Sequence, residues 1–142
     1  MAPDAGRAVP PRGQVEQAIA PSGSGPPLPA LTHYRTLEQN GQLAWVEMRP
    51  LTGRKHQLRL HAASAHGLAA PILGDARHGS GSGNPSGSAA LAAQLAALQR
   101  SGGWEGREMP LFLHCRSLEV SRPELAAPIR IVAPLPEHWD LL

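Results

Sequence analysis

Alternating apolar and polar residues predict a hairpin in the first half of the chain. The alternation runs through residues 32–37 and 43–48, and a period of two is typical of strands that bury one face. The dipeptide Asn40-Gly41 lies between these runs. It is favoured in two-residue hairpin turns, whose central residues need positive φ. A shorter alternating run at residues 13–19 predicts another strand before the pair.

The pattern changes to helical spacing after the second strand. Leu58, Ala62 and Ala65 recur at intervals that place them close together on a helix. Thr52 precedes them and is a residue type that caps the first turn, and Gly67 follows them and is a residue type that ends a helix. The sequence therefore predicts a helix from near Thr52 to Gly67.

The second half of the chain contains one more helix and two more strands. Residues 88–100 carry three leucines on one face of a predicted helix. Residues 111–120 read as a long strand, and residues 129–132 as a short one. Antiparallel strands with helices beside them predict an α+β fold, an antiparallel sheet with flanking helices.

The amino-acid composition of three segments between or before these elements predicts that they are mobile. Residues 1–12 and 21–29 are dominated by Pro, Gly, Ser and Ala, and residues 79–88 contain only loop-forming types. We predict that residues 1–12 are disordered and that residues 13–142 form a single domain portion. A flexible insertion is predicted around residues 79–110 of that portion. Many of the apolar residues are alanines, so the predicted core is thin.

Cysteine count and hydropathy limit the class of protein. Cys115 is the single cysteine, which excludes an internal disulfide and fits a reducing, intracellular compartment. No base is arranged around it in a pattern that indicates a catalytic cysteine. The chain has no apolar run of about 18 residues, so no membrane span is expected. The opening residues leave a cytoplasmic or an organellar location open.

The strongest charge pattern is a basic block at residues 49–61, in a chain whose net charge is only +2. No acidic residue occurs between Glu47 and Asp75, so the block predicts an anion-binding surface, and RNA phosphate is the first candidate. If a helix begins near Thr52, its free backbone N–H groups add a phosphate site. A merely solvated helix face is the alternative that spacing leaves open. The candidate RNA-binding residues are Arg49, Thr52, Gly53, Arg54, Lys55 and His56.

Metal binding is not predicted from the histidines. His56, His61 and His66 follow each other at intervals of five, which places them on different faces of a helix. No cysteine or carboxylate completes a ligand set at a recognised spacing.

The basic block belongs to a longer pattern that resembles a known family. Residues 50–61 read Pro-Leu-Thr-Gly-Arg-Lys-His-Gln-Leu-Arg-Leu-His and precede Gly67, Pro-Ile-Leu-Gly-Asp at 71–75 and Arg-His-Gly at 77–79. This order closely resembles the third conserved block of the RluA-type RNA pseudouridine synthases. Shorter stretches that resemble the family's strands lie at 13–15, 30–35, 113–123 and 133–136. The resemblance implies the C-terminal part of a pseudouridine synthase catalytic domain.

The family's chemistry follows from this resemblance. It implies isomerisation of uridine to pseudouridine in structured rRNA or tRNA, with no metal or cofactor and with the base taken out of its stack. An Asp within Arg-Leu-Asp-x-x-Thr-Ser-Gly is the family's nucleophile. The Arg that pairs with this Asp maps onto Arg59, which is therefore the candidate catalytic residue.

The chain also departs from the family. It contains neither the Asp motif nor the second block with its tyrosine, and Tyr34 instead matches a strand position. The aspartates are Asp4, Asp75 and Asp140, and none has the required neighbours. For Asp75 we predict a structural hydrogen-bonding or turn role.

These departures predict that the isolated chain is inactive. Arg59 is expected to lack its carboxylate, and sheet edge and apolar surface are expected to be exposed where another half of the domain would cover them. A complementary N-terminal half is the partner that this reading requires. The alternative function is a non-catalytic RNA-binding half-domain that uses the basic block 49–61.

Overall fold

The computed structural model describes residues 9–21, 25–79 and 89–141. Its two antiparallel sheets and two α-helices confirm the predicted α+β fold. The elements are β1 (Arg12–Glu16), β2 (Leu31–Asn40), β3 (Leu43–Pro50), α1 (Gln57–Ala63), α2 (Ala89–Gly102), β4 (Ser117–Val120), β5 (Ile129–Val132) and a 3-10 helix (Glu137–Leu141). Much of the sequence predicted to be mobile, at 1–8, 22–24 and 80–88, lies outside the described residues.

The first sheet has the strand order β1-β2-β3 and contains the predicted hairpin. The turn lies one residue later than predicted, because Asn40 pairs with Leu43 and extends the ladder. The central turn residues are therefore Gly41 and Gln42. Gly41 has a φ of 59°, which a residue without a Cβ adopts at little cost.

The helix α1 covers one face of this sheet, where its Gln57 and His61 bond to Thr32. Val15 and Thr32 are paired between β1 and β2 and are buried, and both lie on the side that faces α1. Their neighbours along the strands alternate to the opposite face. That second face carries His33 and, beside it in β3, Arg49, both exposed.

The helix α1 begins at Gln57, five positions after the predicted Thr52. Thr52 does not cap it, because its hydroxyl accepts the Leu31 N–H (3.0 Å) and donates to Gln57 Oε1 (2.7 Å). His56 is the residue before the helix, with a φ of 56° and no side-chain capping bond. The predicted helix start near Thr52 is therefore wrong, while phosphate binding by the residues around it stays a prediction.

The same helix ends earlier than predicted, at Ala63. Ser64 leaves the helix with extended backbone angles. Gly67 instead belongs to the following turn, where its N–H donates to the Ser64 carbonyl (2.9 Å). Ala69 completes this turn with a φ of 51°, so a non-glycine residue occupies the left-handed position.

The predicted long strand over 111–120 is wrong in its first half, because only β4 pairs as a strand. Phe112 is buried and its N–H donates to the Leu73 carbonyl (2.9 Å). Its ring lies 5.7 Å from that of Trp104 and 5.8 Å from that of Trp139. Side-chain packing thus fixes this segment where ladder pairing was expected.

The second helix, α2, is close to the predicted span and is held against the hairpin turn. Gln94 donates to the Asn40 carbonyl (2.8 Å) and accepts the Gln42 N–H (3.0 Å). Near the C-terminus, Trp139 of the 3-10 helix packs edge-on against Trp45 of β3 at 5.8 Å between ring centroids. The segments after residue 89 therefore dock on the first sheet.

The second sheet consists of β4 and β5 and leaves most of its apolar side chains exposed. Leu118 and Ile131 face each other across it and are 53% and 54% exposed. The predicted exposure of apolar surface is confirmed, while its coverage by another half stays a prediction. Among the described residues, no helix is both long and apolar enough to cross a membrane.

Candidate functional site

The candidate site surrounds the connection between β3 and α1. An open cavity of about 300 Å³ lies there. Backbone and side chains of the predicted basic block form most of its wall, and one residue comes from the segment before β4. The lining residues are Pro50, Thr52, Gly53, Arg54, His56, Gln57, Leu58, Arg59 and Leu113.

Gln57 fixes this connection to the sheet through four hydrogen bonds. Its side-chain NH2 donates to the Leu31 carbonyl and to Thr32 Oγ1, each at 3.0 Å. Its Oε1 accepts the Thr52 hydroxyl at 2.7 Å and the Arg54 N–H at 3.0 Å. Because Gln57 is only 4% exposed, these bonds satisfy polar groups that water reaches poorly.

His61 extends the same network into the core. Its Nε2 lies 3.0 Å from the Gln17 carbonyl and its Nδ1 lies 3.0 Å from Thr32 Oγ1. A carbonyl only accepts, so Nε2 carries the proton, and Thr32, which already accepts from Gln57, donates to Nδ1. Both ring nitrogens are therefore engaged within the protein, which makes this histidine structural.

Arg59 forms a bidentate ion pair with Asp75. Its Nε and one terminal NH2 lie 2.8 and 2.6 Å from the two carboxylate oxygens. The Asp75 side chain is fully buried, whereas 20% of the Arg59 side chain is exposed. The expectation that Arg59 has no carboxylate partner within this chain is wrong, because it pairs with Asp75, sixteen residues later.

Asp75 also organises its own turn. Its Oδ1 accepts the N–H groups of Arg77 (3.1 Å) and His78 (2.9 Å). The predicted hydrogen-bonding and turn role is confirmed. The hydrogen bonds from Arg59, followed by those from the backbone, hold the pKa of Asp75 well below its usual value despite burial. The carboxylate in turn raises the pKa of Arg59.

Two histidines close one side of the site. His56 Nδ1 lies 3.1 Å from His78 Nε2, so one ring donates to the other. Loss of solvent around the ring, followed by the positive charge of Arg59, Arg77 and neighbouring groups, lowers the pKa of His56.

The structure brings together most, but not all, of the predicted RNA-binding residues. Thr52, Gly53, Arg54 and His56 line the cavity, and Lys55 is exposed beside them. Arg54 is anchored, because its Nε donates to the Pro29 carbonyl at 3.0 Å. Arg49 lies on the opposite face of the sheet and is separated from this group.

Sequence reasoning missed Gln57 as a site residue, the partners of His61, and Asp75 as the partner of Arg59. Their bonds join positions far apart in the chain, and helical periodicity carries no signal for such contacts. The Gly-Asp dipeptide at 74–75 indicated a turn but not what the carboxylate binds. Across the ranges 9–21, 25–79 and 89–141, no cluster of three or more His, Cys, Asp or Glu side chains forms a metal site.

Comparison with known proteins gives one consistent family. A family profile described as RNA pseudouridylate synthase matches residues 24–64. Ribosomal large subunit pseudouridine synthase D of Xylella fastidiosa is 36% identical over 128 residues, covering 89% of this chain and 34% of that protein. tRNA pseudouridine synthase C of Salmonella typhi is 37% identical over 124 residues, covering 80% and 41%.

A solved structure agrees with these sequences. The human RNA pseudouridylate synthase domain containing 4 protein superposes with a TM-score of 0.66 at 28% identity, covering 93% of this chain and 55% of that chain. The chain spans about a third of the length of the ribosomal relatives that it matches. Each of these proteins carries a synthase name, so the comparisons do not favour the non-catalytic alternative.

Proposed function

This chain belongs to the RluA-type family of RNA pseudouridine synthases, and from that premise we propose that it forms the C-terminal part of a catalytic domain that isomerises uridine in RNA to pseudouridine. The observation that carries the proposal is the geometry of Arg59. Its guanidinium is largely buried, fixed by two hydrogen bonds and placed in the wall of an open cavity. A fixed guanidinium at a cavity is suited to hold a carboxylate in a defined orientation.

The proposed reaction needs a carboxylate from outside these 142 residues. In the family, a carboxylate nucleophile assists the departure of uracil from the ribose, and the base turns and reattaches through carbon instead of nitrogen. The base loses a proton at C5 and gains one at N1, so the step is an isomerisation and no oxidant or cofactor is required. In this proposal Arg59 orients the incoming nucleophile.

RNA is the proposed partner, and rRNA or tRNA the proposed substrate class. Lys55 is exposed and lies in the chain between Arg54 and His56, which line the cavity, and a flexible ammonium suits a phosphate. Arg54 and His56 offer further donors from the cavity wall. Arg49 lies on the other sheet face, so we propose that it contacts a different phosphate of the same RNA.

The test is a chimera. The N-terminal part of the Xylella fastidiosa relative, up to the start of the alignment, is fused before this chain. Transcripts of large-subunit rRNA fragments and of tRNAs carry tritium at uridine C5, and isomerisation releases it. We expect release by the chimera and none by the 142-residue chain. Release by this chain alone would show that it already contains a nucleophile.

Two substitutions in the chimera test the role of Arg59. Arg59→Lys keeps the charge but cannot form a two-point pair, and we expect the rate to fall at least about 100-fold. Arg35→Lys is the matched control, because Arg35 forms an exposed ion pair with Glu47 at 3.1 Å. A folded chimera that releases no tritium from any transcript, or an Arg59→Lys variant with full activity, would contradict the proposal.

A further inference from the structure

The Arg59–Asp75 pair leaves half of the guanidinium available. A guanidinium has five N–H donors on two usable edges. The edge formed by Nε and one terminal nitrogen is occupied by the Asp75 carboxylate. Within the described ranges, no residue accepts a hydrogen bond from the other terminal nitrogen, Nη1, and Arg59 lines the cavity.

Asp75 is held too firmly to act as a movable ligand. Its side chain is fully buried, and two backbone N–H groups bind the oxygen that also receives Arg59. The turn is closed by the Gly79 N–H, which donates to the Asp75 carbonyl at 2.8 Å. Before it, Gly74 has a φ of 75° and lies against the Pro110 backbone so closely that no Cβ would fit. The carboxylate is therefore a fixed support.

We propose that Asp75 is a positioning residue that fixes one edge of Arg59, so that the opposite edge receives the nucleophilic carboxylate. Arg59 would then bridge two carboxylates, one structural and one reactive. This inference rests on the proposed function and adds a residue to it. The buried pair has no net charge, so the incoming carboxylate is held by directed hydrogen bonds more than by unbalanced charge.

The substitution Asp75→Asn separates the positioning of Arg59 from the hydrogen bonds that Asp75 makes within its own turn. The asparagine oxygen, in the place of Oδ1, still accepts the N–H groups of Arg77 and His78 and one terminal NH2 of Arg59. Its NH2 group replaces Oδ2, which accepted from Arg59 Nε, so the two-point pair is lost. In the chimera we expect kcat to fall about 100-fold with KM changed less than threefold, because RNA contacts remain. Asp140→Asn makes the same chemical change at an exposed residue and should leave both constants unchanged.

A double substitution tests whether Asp75 acts through Arg59. Once Arg59→Lys has removed the two-point pair, adding Asp75→Asn should lower kcat by no more than about twofold, since residues that act as a unit are not additive. A purely structural role predicts that both losses multiply. Multiplied losses would overturn the inference, and so would an Asp75→Asn variant with kcat equal to or above the parent. A rise would mean that Asp75 competes with the nucleophile.

If Asp75→Asn does not fold, Asp75→Glu replaces it. Glutamate keeps the charge and both carboxylate oxygens but displaces the guanidinium by the length of one CH2 group. We therefore expect the same loss of kcat. An unchanged kcat would overturn the inference. If the parent chimera is inactive, the proposed function fails separately. Arginine Nε–H exchange in the 142-residue chain then tests the pair itself. A protected Arg59 signal is expected, and a freely exchanging one overturns the support role.

Discussion

Replacing Gln57 by alanine tests whether the site is held by its buried polar network. The side chain makes four hydrogen bonds, to Leu31, Thr32, Thr52 and Arg54, and is 4% exposed. A net contribution of about 0.75 kcal/mol for each bond gives a loss of about 3 kcal/mol. The leftover Thr32 hydroxyl is fully buried, so water cannot compensate there.

The assay is urea unfolding followed by far-UV circular dichroism. For a domain of this size the loss corresponds to a midpoint lower by about 2 M urea. Gln39→Ala is the matched control: Gln39 also donates two hydrogen bonds, to Gly41 and Leu43, but it is exposed. We expect less than about 0.5 kcal/mol there. Equal shifts for both variants, or a Gln57→Ala shift below about 0.5 M, would refute the reasoning.

Three further outcomes are expected. The bond to Arg59 holds the pKa of Asp75 below its ordinary value of 3.8. The ionised carboxylate therefore stabilises the folded state fully above about pH 5, and this stabilisation is lost as the pH falls. Between pH 7 and pH 3 the urea midpoint should decline less in the Asp75→Asn variant than in the parent chain. Ala69→Gly should raise stability by about 0.5 kcal/mol, because Ala69 has a φ of 51°; a lower thermal midpoint would contradict this. Lys55→Ala should reduce the slope of log K for RNA binding against log salt concentration by about one unit, and Arg130→Ala should leave this slope unchanged. Equal slopes in the parent and both variants would exclude a phosphate contact at Lys55.

Much of the first sheet was predictable from the sequence because its signals are local. Alternation located β2 and β3, and glycine located the turn to within one residue. The start of α1 was not predictable by the same rules. Thr52 is a good capping residue in isolation, but its hydroxyl bonds to Leu31 and Gln57 instead. A competing contact twenty-one residues away decided where the helix begins.

The candidate site was predicted in its charges but not in its pairing. Family resemblance singled out Arg59, and the basic block placed cations around it. The partner, Asp75, was recognised only as a turn residue, because sequence shows that a carboxylate ends a loop but not what it approaches. Similarly, residues 111–120 read as one strand, and the packing of rings around Phe112 was not visible in the sequence of its first half.

The placement of the tryptophans has a spectroscopic consequence. Trp45 and Trp139 touch each other, and Trp104 and Trp139 both touch Phe112, so all three indoles belong to one aromatic contact group. None of them lines the cavity beside Arg59. Intrinsic fluorescence therefore reports how the segments after α2 dock on β3, and it is insensitive to direct occupancy of the site. A change in emission when RNA binds would be evidence that the two regions are mechanically coupled.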